Sequence, residues 1–191
     1  MWPRTWTPLA LLSLGACVGP VVDDPRCAPP DTDLGEEVVC GEVDVYFRPR
    51  ADDDLGGCTR FRGSITVADA FGDELAPLDT LRRVDGELTI FRNHGLTDLR
   101  ALGRLEQVGG ALTVRLDDSD GAFRSLAGLE RLREVGALDV DGNPWLASLD
   151  GLSCLEVVHG PVHFRENPLL PREEIDALLA HVEVEGEVTV E

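Results

Sequence analysis

A glycine followed by two alternating apolar residues recurs six times along this chain, and nothing else in the sequence limits its fold as strongly. The copies are Gly63-Ser64-Ile65-Thr66-Val67, Gly86-Glu87-Leu88-Thr89-Ile90, Gly110-Ala111-Leu112-Thr113-Val114, Gly136-Ala137-Leu138-Asp139-Val140, Gly160-Pro161-Val162-His163-Phe164 and Gly186-Glu187-Val188-Thr189-Val190. Steps of 23, 24, 26, 24 and 26 residues separate their glycines. A period of that length predicts stacked units, each laying one strand beside the last. Gly41-Glu42-Val43-Asp44-Val45 echoes the pattern 22 residues before Gly63. It is expected as an irregular first unit or a capping strand, because an end repeat must close the core.

Between strands the leucines fall every third residue. One stretch carries Leu96, Leu99, Leu102, Leu105 and Val108; the next carries Leu126, Leu129, Leu132 and Val135; the next carries Leu146, Leu149, Leu152, Leu155 and Val158. Threefold spacing suits tight 3₁₀ turns better than an α-helix. Pro168 to Leu179 departs from it and predicts a true helix, with Pro171 in its first turn and acids beside its N-terminus.

The N-terminus has a different character. Arg4 precedes the apolar run Leu9-Ala10-Leu11-Leu12-Ser13-Leu14, and small residues follow, the pattern of an export signal over residues 1–16. Leu14-Gly15-Ala16-Cys17 resembles the lipobox of bacterial lipoproteins. That resemblance implies lipidation of Cys17, cleavage before it, and a membrane anchor made stable by several acyl chains. Val18 is not the usual inner-membrane retention residue of that class, so the outer membrane is the expected address, facing either side. Residues 17–39 then read as a Pro- and Asp-rich disordered tether, 40–57 as a capping strand and loop, and 58–191 as the repeat domain.

Acids outnumber bases 36 to 17, a net charge of −19, and every base is arginine. A surface this acidic repels phosphate backbones and anionic head groups, which argues against nucleic acid as a partner. An exported chain meets an oxidising compartment, so the cysteines after Cys17 are expected to pair. Cys27, Cys40, Cys58 and Cys154 allow three connectivities. Cys40 with Cys58 is the first choice, leaving Cys154 as a buried thiol, several repeats from the others.

The unit Leu-x-x-Leu-x-x-Val-x-Gly-x-Leu-x-Ile resembles the receptor L domain, a leucine-rich module of growth-factor receptors. Leu78 to Ile90, Leu102 to Val114 and Leu129 to Val140 carry it, and Cys58, just before the first strand, matches that family's opening. The resemblance implies a mostly β repeat protein: a right-handed parallel β-solenoid of receptor L domain or leucine-rich-repeat type, with about six rungs and one short helix near the C-terminus. It also implies a surface for binding, commonly of proteins.

Strand alternation places the glycine and both apolar residues of each unit inward and the intervening residues outward. The outward set is Thr66, Thr89, Thr113, Asp139, His163 and Thr189, with Ala68, Phe91, Arg115, Asp141, Arg165 and Glu191 beside it. Phe91, Arg115 and Arg165 are residue types that anchor interfaces. No catalytic constellation, cofactor motif or metal site is expected. Asp117-Asp118-Ser119-Asp120-Gly121 lacks the acids of a calcium loop at positions 116 and 127 and reads as a turn. His159 and His163 stand about 13 Å apart along an extended strand, too far to share a metal.

The expected function is therefore a lipid-anchored, extracytoplasmic module that recognises a protein or glycan through its sheet face. The alternative is a structural envelope or surface-coat component without a defined ligand. Cys17→Ala is expected to abolish acyl labelling and to leave the chain uncleaved or soluble; unchanged labelling and membrane fractionation would refute the anchor.

Overall fold

The computed structural model describes residues 27, 37–41, 45–47, 55, 57–69, 72–93, 95–116 and 123–191. The signal segment, Cys17, most of the tether and the Asp117–Gly121 turn lie outside them.

The described chain is mostly β, with a single α-helix and an open sheet in which every pairing is parallel. Its strands are β1 (Val39–Cys40), β2 (Val45–Phe47), β3 (Arg60–Phe61), β4 (Ile65–Ala68), β5 (Arg83–Val84) and β6 (Leu88–Phe91). After them come β7 (Gln107–Arg115), β8 (Glu134–Asp141), β9 (Val157–Val158), β10 (Val162–Arg165), β11 (Glu183–Val184) and β12 (Val188–Val190). The helix α1 spans Arg172–Leu179.

Two ladders run side by side. The longer follows β2-β4-β6-β7-β8-β10-β12, and the shorter follows β1-β3-β5-β7-β8-β9-β11. β7 and β8 belong to both, because their strands continue through the corner with a register shift between Val108 and Ala111. β1 and β2 extend both ladders by one strand each, so the Gly41 segment joins the stack.

Register explains why the sequence period matters. Ile65, Leu88, Leu112, Leu138 and Val162 face one another across successive strands, each no more than 1% exposed. The next inward position repeats this with Val67, Ile90, Val114, Val140 and Phe164. In the turns, the amides of Leu102 and Leu105 bond to the carbonyls of Leu99 and Leu102; Leu129 and Leu132 do likewise with Leu126 and Leu129, and Leu152 and Leu155 with Leu149 and Leu152. Three residues per turn eclipses those side chains, so every leucine points to the same interior. Each aliphatic residue buried this way favours folding by roughly 1.5–3 kcal/mol.

The glycines do not face inward as strand alternation predicts. Gly63, Gly86, Gly110, Gly136 and Gly160 are half-buried, since the corner between the two ladders falls on them and breaks the alternation. Gly110 donates its amide to the Gly86 carbonyl at 2.8 Å, and Gly86 donates to Gly63 at 3.1 Å. A β-carbon on Gly160 would lie 2.6 Å from the Gly136 carbonyl oxygen, and one on Gly136 would lie 2.7 Å from that of Gly110. The column therefore consists of glycine because backbone packs on backbone there.

Strand ends are closed by asparagines. Asn93, Asn143 and Asn167 donate Nδ2 to the carbonyls of Val67, Val114 and Val140, at 3.1, 2.9 and 2.8 Å. Asn143 also donates its amide to Asn167 Oδ1 at 3.2 Å. The residues just after β4, β6, β8 and β10, namely Asp69, Arg92, Gly142 and Glu166, turn the chain with positive φ.

Two disulfides are present. Cys40 joins Cys58, with their α-carbons 5.8 Å apart. Cys154 is not the isolated buried thiol predicted from the sequence; it joins Cys27, 127 residues away, at a Cα separation of 5.2 Å. Distance along the repeats misleads here, because Cys27 lies beside the turn that bears Cys154 rather than at the first repeat. Arg133 Nη2 donates to the Cys27 carbonyl at 2.7 Å and also holds Cys27 there. In α1, Pro171 stands at the N-cap rather than inside the first turn, and Glu174 accepts from Ser148 Oγ and the Leu149 amide, both at 3.1 Å.

Gly136→Val places branched carbon where backbone now lies, and is expected to cost about 3 kcal/mol, the upper part of the usual range for point substitutions. A thermal melt reads it as a fall of several degrees; an unchanged midpoint would contradict the close packing of the glycine column.

Candidate functional site

The longer ladder carries the candidate face, and its register lines up the residues singled out from the sequence. Thr66 pairs with Thr89, Thr89 with Thr113, Thr113 with Asp139, Asp139 with His163, and His163 with Thr189. All six are half-buried. In the second column Ala68 pairs with Phe91, Phe91 with Arg115, and Asp141 with Arg165. Ala68 is the exception to the expected exposure: it is fully buried, so the usable face begins at Phe91.

A compact charge network occupies the centre. Arg115 Nη1 meets Asp141 Oδ2 at 3.3 Å. Arg165 Nη2 meets Asp139 Oδ1 at 3.4 Å and Asp141 Oδ2 at 3.8 Å. Asp141 is the most enclosed of the four, its side chain 14% exposed against 43% for Arg115 and 38% for Arg165. The separations exceed the 2.7–2.9 Å of a well-formed charged hydrogen bond. Among the described residues, His163 Nδ1 and Arg165 Nε are shut off from solvent without a hydrogen-bond partner. Buried polar atoms left in that condition are destabilising, and they are uncommon in folded proteins.

Aromatic and apolar groups border this network. The Arg92 guanidinium lies 5.1 Å from the Phe91 ring centroid, a cation–π geometry. Trp145 and Leu169 are 42% and 47% exposed. Each follows a ladder asparagine by two residues, in Asn143-Pro144-Trp145 and Asn167-Pro168-Leu169. The turns match, with Leu146 donating to the Asn143 carbonyl and Leu170 to that of Asn167. The pair thus sits at the strand-end margin of the face. Repetition of Asn-Pro-apolar was the signal in the sequence, but exposure of the third residue is a tertiary property.

The shorter ladder has separate electrostatics. Arg82, Glu106, Arg133, Glu156 and Glu183 stack in one column through successive backbone hydrogen bonds. Arg82 pairs with Glu106 at 3.5 Å and Arg133 pairs with Glu156. Asp85 is held below the ordinary aspartate range by hydrogen bonds from Arg60 and Arg83. His159 stands between Glu134 at 2.8 Å and Glu185 at 3.1 Å, and these carboxylates raise its pKa. His159 is not on one strand face with His163, because the Gly160-Pro161 corner separates the ladders. Among the described residues no group of histidine, cysteine and acidic side chains could hold a metal ion, and no helix is long and apolar enough to cross a membrane.

No family model, curated protein or solved structure matches the chain.

His159 gives a pH test. A histidine whose folded pKa lies above its unfolded value stabilises the fold fully below the unfolded value, 6.5. That increment is lost as pH rises through the folded value. Wild type is expected to lose stability relative to His159→Gln as pH is raised from about 5 to about 8. Parallel denaturation curves at both ends of that range, with no change in the difference, would refute the clamp.

Proposed function

We propose that this chain is a right-handed parallel β-solenoid of receptor L domain or leucine-rich-repeat type, with about six rungs, that serves as a binding module. In this reading an export signal and lipidated Cys17 hold it at the bacterial cell envelope, at the outer membrane. The sheet face bearing Thr66, Thr89, Phe91, Thr113, Arg115, Asp139, Asp141, His163 and Arg165 takes a protein or glycan ligand.

The observation that carries the proposal is the centre of that face. In a chain where acids outnumber bases 36 to 17, two arginines and two aspartates balance there. Phe91 supplies apolar contact beside them, and exposed Trp145 and Leu169 follow the strand ends. Aromatic and arginine anchors around an enclosed polar centre are the composition of interface hot spots. Protein and glycan ligands both offer groups that can engage the exposed parts of these arginines and aspartates.

A structural coat component is the second reading, favoured by the acidity of the surface elsewhere: Glu183, Glu185 and Glu187 are all exposed near the last strand. The two readings separate in cells. A photo-cross-linking residue in place of Thr113 is expected to give a discrete adduct, absent when the cross-linker replaces exposed Glu173 on α1. Adding Arg165→Asp should remove the adduct. No adduct at Thr113, or one indifferent to Arg165, would favour the structural reading.

A further inference from the structure

Arginine is concentrated at one place that the sheet-face reading does not use. An open cleft of about 520 Å³ is lined by Asp79, Arg82, Arg100, Gly103, Arg104 and Arg131. Four guanidiniums surround it against one carboxylate, in a chain whose net charge is −19. Its size falls within the roughly 300–1,000 Å³ of small-molecule sites.

The cluster is assembled by the fold. Arg82 precedes β5, Arg100 opens the 3₁₀ turn Arg100–Leu102, and Arg104 follows that turn. Arg104 and Arg131 precede the equivalent leucines Leu105 and Leu132, so stacking sets like charges side by side. Like charges so placed oppose folding unless something neutralises them. The protein does little of this itself. Arg82 reaches Glu106, and Arg100 reaches Asp98, each only at 3.5 Å, and the Arg100 side chain is 81% exposed. Both Arg104 and Arg131 are exposed, and their side chains have no ion-pair or hydrogen-bond partner among the described residues.

We infer that this cleft binds a small, multiply charged oxyanion of the phosphate-ester class. Planar guanidiniums present paired N–H donors that match the oxygens of a phosphate, and several together balance a dianion. With Arg82 and Arg100 paired within the protein, Arg104 and Arg131 remain, and a dianion matches two such charges where a single carboxylate matches one. An extended polyanion is disfavoured by the net charge of −19 on the whole chain.

The phosphate has two sources: a soluble phosphate ester or a phosphorylated lipid headgroup. Position bears on the second. In the next repeat the place of Arg104 and Arg131 is taken by Cys154, which ties down Cys27. Cys17 lies ten residues earlier, so a lipid at Cys17 would hold this flank within about 35 Å of a bilayer. That one argument rests on the anchor proposed above; the cleft and its chemistry do not.

Titration of the full chain with inorganic pyrophosphate, followed by calorimetry at low ionic strength, is the direct test. Saturable binding that weakens with added salt is expected. The double variant Arg104→Gln, Arg131→Gln should weaken it at least roughly tenfold, while Glu173→Gln on α1 leaves it unchanged. Both substituted arginines are exposed, and the melting temperature without ligand checks that the variant folds. Vesicles of phosphatidylcholine with and without phosphatidic acid separate the sources. Retention that needs both phosphatidic acid and the arginines assigns the phosphate to a lipid. Pyrophosphate binding without retention assigns it to a soluble ester. Absence of binding in both arms, or binding equal in the double variant, overturns the inference.

Discussion

Backbone-on-backbone contact at the glycine corner is the constraint on which the rest of this structure depends. Gly86, Gly110, Gly136 and Gly160 each lie where a β-carbon would strike the preceding repeat. Successive strands can therefore come into hydrogen-bonding distance on both sides of the corner, along the long ladder and the short one. Everything inward of the corner follows from that approach. With strands in register, Leu88 meets Leu112 and Leu112 meets Leu138, and the threefold turns deliver their leucines to the same interior. Spacing the repeats farther apart at the corner would open a void along the whole core, and close-packed interiors tolerate voids poorly.

The same stacking dictates the polar interactions. A residue outside the core has as its nearest neighbours the residues one repeat away in either direction, so charge is organised by column. Where signs alternate, as in Arg82–Glu106 and Arg133–Glu156, the column is a series of ion pairs. Where they do not, the charge is left for something else. Arg104 above Arg131 is such a place, and the acids from Glu183 to Glu187 near the last strands are another. On the sheet face the columns are mixed, so Asp141 reaches arginines on both sides, Arg115 and Arg165. A binding surface built this way can change charge pattern without disturbing the core, because outward and inward residues alternate along each strand.

Closure of strand ends shows how a repeated fold tolerates irregularity. Three asparagines donate to carbonyls near the ends of β4, β7 and β8, and Asn143 bonds to Asn167 as well as to Val114. The repeat after β7 lacks an asparagine in this place. Its Leu116 amide instead donates to Asn143 Oδ1 at 3.0 Å, so the next repeat completes the capping. Glu174 performs a similar service from α1, satisfying the Leu149 amide. The helix is thereby part of the stack despite its different periodicity.

Much of this was legible in the sequence because the determinants are local and repeated. Gly-x-apolar-x-apolar marks strands, leucine every third residue marks 3₁₀ turns, and both recur often enough to predict parallel pairing and the composition of the core. The threonine and arginine columns of the candidate face follow from strand alternation alone. Alternation fails at the glycines and at Ala68, where a corner and burial override period two. What only the tertiary structure decided involves pieces far apart in the chain or side chains whose neighbours lie one repeat away. Cys27 meets Cys154 in a pairing that no spacing encodes, and the arginine cleft draws residues from three repeats, none of which stands out singly. Local pattern fixes which way a residue faces; only the stacking of repeats fixes what it faces.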